Sequence, residues 1–356
     1  MNKMLKRILI ITLCLLLAIA SLVIVFDPFY HYHGPLPGLK AVLTEKEYQC
    51  IGSLRHFEYD AVIAGSSVAE NYNNAWFDEN FGCKSIKAIR SYGATADLCY
   101  FVDEAYKNHE LKYVFYNLDP SALKVDTYTT FKETGCPMYL YDRNPFNDVQ
   151  YLFNKDVILE RIPYNIAQSF MGDYDEGESY NWGKWKNFNL DMCTGLYLRH
   201  PRVADMKDAH AYDELLQGNL GLISDMVSSH PETKFYIFMP PYSMLWWDNV
   251  YREGDTEFYL YAMEEAINTL SSYDNVEFYY FMNDRDVITN LDSNYMDTLH
   301  FSPDINHYIC DCIRDGKFRV DVTNSAETME QMRTLAYEIT DSLMDPYIDM
   351  IKELIE

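Results

Sequence analysis

Tyr59-Asp60-Ala61-Val62-Ile63-Ala64-Gly65-Ser66-Ser67-Val68-Ala69-Glu70-Asn71 is the stretch on which the fold turns. Ala61 to Ala64 is a short apolar run that reads as a buried strand. Gly65 ends it and permits a sharp or left-handed turn that a Cβ would obstruct. Two serines and a polar segment able to start a helix follow. Strand, glycine turn, serine, helix presents a hydroxyl beside backbone N–H groups that favour negative charge. The same pattern also describes an ordinary serine N-cap after a strand-to-helix turn. Both readings stay open on these residues alone.

Outward from that stretch the chain alternates strands and helices. Lys84–Arg90 alternates apolar and polar residues as a second strand, Ser91-Tyr92-Gly93 is a turn, and Thr95–Asn108 is a helix. Tyr113–Leu118 is a third strand, ended by Asp119-Pro120. Ala209–Ser229 is helical and leads to a fourth strand, Lys234–Met239, which Pro240-Pro241-Tyr242-Ser243 stops. Thr256–Leu270 is an amphipathic helix and Val276–Phe281 a fifth strand. Helices follow at Asp304–Asp315 and Thr328–Glu356. This rhythm predicts an α/β fold with right-handed crossovers and a mainly parallel sheet. Residues 121–200 break it. They are rich in Tyr, Asn and Asp, include the Gly/Trp-rich piece Gly172–Trp185, and read as an insertion with a helix near Asn147–Leu159. Long excursions of this kind cover or shape sites.

Residues 8–26 are uncharged and mostly apolar. As a helix they span about 28 Å at ~1.5 Å per residue, close to a bilayer core. Lys3, Lys6 and Arg7 precede the run and Asp27 and Pro28 follow it, so the positive-inside bias predicts a cytosolic N-terminus and an extracytoplasmic remainder. Ala18-Ile19-Ala20 has the form of a signal-peptide cleavage site, but the apolar run continues through Phe26, which favours an uncleaved anchor. The expected organisation is a basic tail over 1–7, an anchor over 8–26, a connector over 27–58, an α/β domain over 59–320 and a C-terminal helix over 321–356. The net charge of −25 argues against nucleic-acid binding and against charge-driven docking on anionic lipid.

Seven of the eight cysteines lie outside the apolar run, with no CxxC, so neither a disulfide framework nor a zinc cluster is indicated. His31 and His33 could present two imidazoles on one strand face, but they do not reach the ligand count of a metal site and read as a juxtamembrane loop. No metal and no cofactor are expected.

A serine nucleophile needs a base held by a third group. Asp297 and His300 are three apart, a spacing at which one carboxylate can fix one imidazole in a turn. Asp304 and His307 share the spacing but fall in a predicted helix, where Asp304 has a dipole role instead. Trp246 and Trp247 lie just past the fourth strand and either stack on sugars or pack on the body.

Gly65-Ser66-Ser67 after an early strand, with Asp297-Thr298-Leu299-His300 near the domain's end, resembles the SGNH/GDSL hydrolase superfamily. The resemblance covers about residues 55–320. The wider layout, with its anchor, Glu70-Asn71 and Pro240–Ser243, is similar to membrane-anchored extracytoplasmic bacterial members. These include the teichoic-acid D-alanylation protein and, more distantly, alginate O-acetyltransferases. It implies a three-layer, flavodoxin-like SGNH sandwich preceded by one transmembrane helix. It implies Ser67 as nucleophile, His300 as general base and then acid, and Asp297 as the group orienting His300. It implies an oxyanion hole from Ser67, Gly93 and Asn117, although Gly65-Ser66 stands where the family has Gly-Asp and Asn117-Leu118-Asp119 where it has Gly-x-Asn-Asp. Asn71, Tyr242, Trp246 and Trp247 are candidate substrate-binding residues. The implied activity is that of a serine esterase or O-acyltransferase on acyl esters of cell-envelope polysaccharide. The implied partners are that glycan, the membrane and a membrane-bound acyl-transfer protein. A catalytically inactive scaffold or glycan-binding module is the alternative.

Overall fold

The computed structural model describes residues 3–353. The chain forms two compact units. One joins the residues up to Glu58 with Phe131–Tyr180; the other joins Tyr59–Thr130 with the chain from Asn181 onward. Of the excursion read over 121–200, Phe131–Tyr180 folds together with the segment read as a connector.

The larger unit holds a six-stranded sheet of β1 (Ala61–Gly65), β2 (Ser85–Ile89), β3 (Tyr113–Asn117), β4 (Lys234–Met239), β5 (Val276–Tyr280) and β6 (Arg319–Val320). Their spatial order is β2-β1-β3-β4-β5-β6. The first five are parallel; β6 is a two-residue edge strand running antiparallel to β5. Every residue of β1 is buried, which is why it reads as a continuous apolar run rather than an alternation.

Helices cover both faces of the sheet. Successive strand residues point to opposite faces. Accordingly Tyr279 donates to the carbonyl of Ile313 in helix Pro303–Asp315, while Tyr280 donates to Sδ of Met263 in helix Thr256–Leu270. On the Tyr279 side Phe115 packs its ring against Phe77 and Tyr236. Strand order reverses between β1 and β3, and crevices in such sheets form at the carboxyl ends of the strands there.

Three local expectations give way. The segment after Ser67 is a 3-10 turn, Ser67–Ala69, and the α-helix begins only at Asn74, where Asn73 Oδ1 accepts the N–H of Ala75. The helix expected over Asn147–Leu159 is broken into Val149–Leu152 and a π-helical stretch Val157–Arg161 that runs into Ile162–Phe170. Asn154 takes the N–H of Asp156 between them, and such a local bond competes with helix propagation. The C-terminal helix ends at Glu338 instead of continuing. A π turn and a 3-10 turn follow, the latter with Pro346 in its first turn. Lys352–Glu353 then pairs with Leu198–Arg199, and residues 354–356 lie outside the described range.

In the smaller unit, helix Lys3–Phe26 is long and apolar enough to cross a membrane. Beyond it Asp27 is fully buried and accepts the N–H groups of His31, Tyr32 and His33 and the hydroxyl of Tyr151. The segment 27–58 is therefore structured, with its own helix at Lys46–His56.

Candidate active site

Gly65 sets the position of the two serines. A Cβ there would lie 2.5 Å from Cβ of Ala69 and 2.9 Å from Cβ of Asn117. The glycine is needed for close approach, and its φ is not in the left-handed region. Neither serine acts as a side-chain cap. Ser66 is the N-cap of the 3-10 turn without a side-chain cap bond, and the Ser67 hydroxyl goes elsewhere.

Ser67 Oγ lies 2.8 Å from Nε2 of His300, although 233 residues separate them. His300 Nδ1 lies 2.7 Å from Oδ2 of Asp297. The carboxylate requires a donor, so Nδ1 carries the proton and the Nε2 lone pair faces the serine. Asp297 Oδ1 also accepts the N–H of Leu299 at 3.0 Å and of His300 at 2.7 Å. Burial alone would raise the Asp297 carboxyl, but the bonds from His300, its charge and the two N–H groups more than offset this, and the group is held below the usual carboxylate value. His307, by contrast, stacks on Trp76 and faces Asp311, not Asp304.

Polar ties from separate elements fix this chain of groups. Ser243, just past β4, donates both its N–H (3.1 Å) and its hydroxyl (2.7 Å) to the carbonyl of Thr298. Tyr295 donates to the carbonyl of Pro241. Asn306 donates to the carbonyl of Val68, holding the 3-10 turn against helix Pro303–Asp315. Trp182, which sequence reasoning did not single out, donates Nε1 to the carbonyl of Ser67 and meets the His300 ring edge-on at 5.2 Å. Asn71 positions that tryptophan, since its Oδ1 accepts the N–H groups of Trp182 and Gly183. No local pattern could have linked residue 182 to residue 67.

A cavity of about 310 Å³ opens beside Ser67 and His300, lined also by Tyr92, Gly93, Asp119 and Tyr242. Asp119 is the second residue missed. Its Oδ1 accepts from Tyr242 at 2.7 Å and from Asn117 Nδ2 at 3.0 Å. Burial pushes its carboxyl up, against the lowering effect of Ser66, Tyr242, His300 and Asn117. Tyr92 is the third: its side chain is 91% exposed and its φ is +54°, a conformation that costs a non-glycine residue of order 1–3 kcal/mol.

The remaining candidates are placed differently from the expectation. Gly93 lines the cavity, but its N–H is donated to the carbonyl of Arg90 in a turn. Asn117 is fully buried, does not line the cavity and gives its amide to Asp119. Of the three expected oxyanion donors, Ser67 alone keeps an amide N–H not engaged elsewhere among the described residues; it opens the 3-10 turn. Trp246 and Trp247 are 7% and 1% exposed, in a helix, Met244–Arg252, that the double proline had concealed. Trp246 packs on Tyr242, Tyr259 and Trp247, so burial accounts for the pair and they offer no stacking face to a sugar. Among the described residues no group of three or more His, Cys, Asp or Glu side chains is placed to hold a metal ion.

Comparison with models of known protein families, with curated proteins and with solved structures finds no match for this chain.

Proposed function

We propose that this chain is an SGNH-type serine esterase or O-acyltransferase with a flavodoxin-like sandwich, anchored by its N-terminal helix with the larger unit outside the cell, and that it acts on acyl esters of cell-envelope polysaccharide. The observation that carries the reading is the continuous chain Ser67 Oγ, His300, Asp297 beside a cavity at the carboxyl edge of the sheet. His300 Nε2 takes the Ser67 proton as Oγ bonds to the ester carbonyl carbon. The carbonyl oxygen becomes an oxyanion that the unengaged Ser67 amide would stabilise; one such donor is worth about 3–4 kcal/mol. The oxyanion collapses, the C–O bond to the alcohol breaks, and His300 returns the proton to the leaving oxygen. Water or a glycan hydroxyl then attacks the acyl-serine carbonyl carbon while His300 Nε2 takes its proton. The second oxyanion collapses, the bond from the acyl carbon to Ser67 Oγ breaks, and His300 returns the proton to Oγ, releasing the acid or the new ester. Asp297 keeps Nδ1 protonated throughout. A membrane-bound protein that delivers the acyl donor would complete the transferase version.

The engaged N–H of Gly93 and the diverted amide of Asn117 favour a second reading, a glycan-binding module that retains the fold without turnover. Incubating the full-length protein in detergent with O-acetylated glycan and trapping by acid separates the two. An acyl adduct on Ser67, absent from Ser67→Ala, supports the enzyme. Glycan binding equal in wild type, Ser67→Ala and His300→Ala, with no acyl release, supports the module.

A further inference from the structure

The smaller unit carries an apolar surface that its own fold leaves open. Phe146 is 90% exposed, and Val149 and Phe153 are exposed in the same segment. Grouped apolar side chains of this size mark a contact surface. The surroundings of the segment say what touches it. Helix Val149–Leu152 packs on the end of helix Lys3–Phe26, whose one buried side chain is Val23. Val23 precedes the last residue, Phe26, by about 4.5 Å at ~1.5 Å per residue. Tyr151 donates to Asp27 and stacks on Phe29, and Asp148 lies 3.2 Å from His31 Nε2 and accepts from the Tyr32 hydroxyl. His33 turns back to the carbonyl of Ile24. These ties pin the segment 146–153 level with the last turn of the apolar helix. When residues 8–26 fill the hydrocarbon core, that level is the boundary between acyl chains and headgroups.

We propose that Phe146, Val149 and Phe153 seat in the leaflet that surrounds the end of helix Lys3–Phe26, so that the smaller unit rests partly in the bilayer. The proposal relies on the anchor reading above. Its occupant is lipid, because the surface is continuous with the helix that lipid already surrounds. The test uses full-length protein with Cys14→Ser and Cys83→Ser, reconstituted in phosphatidylcholine vesicles. Single cysteines at Phe146→Cys, Val149→Cys or Leu15→Cys carry an environment-sensitive fluorophore. Reporters at 146 and 149 are expected to shift to the blue and to lose emission several-fold with shallow spin-labelled lipid, while aqueous iodide leaves them nearly unchanged. The reporter at 15 is expected to be quenched by deep spin-labelled lipid. Iodide quenching at 146 and 149, with residue 15 still deep, overturns the seat alone. Iodide quenching at all three positions overturns the anchor and the seat together. Protection at 146 that requires added membrane proteins rather than lipid also overturns it.

Discussion

Replacing Asp297 by Asn isolates the orienting role of one carboxylate. The Asn oxygen can keep the N–H bonds from Leu299 (3.0 Å) and His300 (2.7 Å), so the loop retains its shape. The amide NH₂ then faces His300 Nδ1, which must become an acceptor. The ring proton moves to Nε2, 2.8 Å from Ser67 Oγ, and a protonated Nε2 cannot take the serine's proton. In a comparable triad this wrong tautomer costs about 10⁴ in turnover, which is about 5.5 kcal/mol of barrier. The assay is the rate of Ser67 modification by a fluorophosphonate in the full-length protein. Thermal unfolding over pH supplies the control for folding. Asp297 is held below its ordinary value in the fold. Its ionised form therefore adds stability above the ordinary carboxylate pKa, and that stability is lost as pH falls through the depressed folded value. The gap in Tm between wild type and Asp297→Asn is expected at pH about 6 and should close toward pH about 3. A folded Asp297→Asn that labels within about tenfold of wild type would refute the tautomer argument.

Further outcomes follow from single contacts. Gly65→Ala places a Cβ 2.5 Å from Ala69 Cβ and should cost about 1–3 kcal/mol of overpacking in denaturant unfolding, together with loss of Ser67 labelling. Asp119→Asn keeps an acceptor for Tyr242 and removes a buried carboxyl whose folded pKa is raised. Relative to the variant, wild-type Tm should fall as pH rises from the ordinary carboxylate value toward neutrality, and a wild type that instead gains stability over that range contradicts the assignment. Tyr92→Gly relieves a φ of +54° and should stabilise by about 1 kcal/mol, while an exposed ring lost beside the cavity should lower turnover of polymeric but not small esters.

Much of the architecture was legible in the sequence because its causes are local. Buried parallel strands are short apolar runs, and Lys234–Met239 is bounded by a proline that cannot continue it. Helix Thr256–Leu270 matches its expected limits, and its apolar spacing lies within a single element. Asp297 and His300 could be paired because three residues separate them. The rest depends on facts that spacing does not carry. Whether Gly93 offers its N–H is decided by a turn closing on Arg90, and whether Asn117 reaches a substrate is decided by Asp119 two residues on. Aromatic character could not say that Trp246 and Trp247 face inward while Tyr92 faces out. Trp182 reaches Ser67 only because Asn71 binds its backbone across more than a hundred residues.

Activation of Ser67 as a nucleophile by His300 can be read most directly by mass spectrometry of the full-length protein after exposure to a fluorophosphonate. One adduct on the peptide bearing Ser66 and Ser67, localised to Ser67 and absent from Ser67→Ala and His300→Ala, is the predicted result. Equal modification of wild type and Ser67→Ala, or none in a wild type shown to be folded, would contradict it.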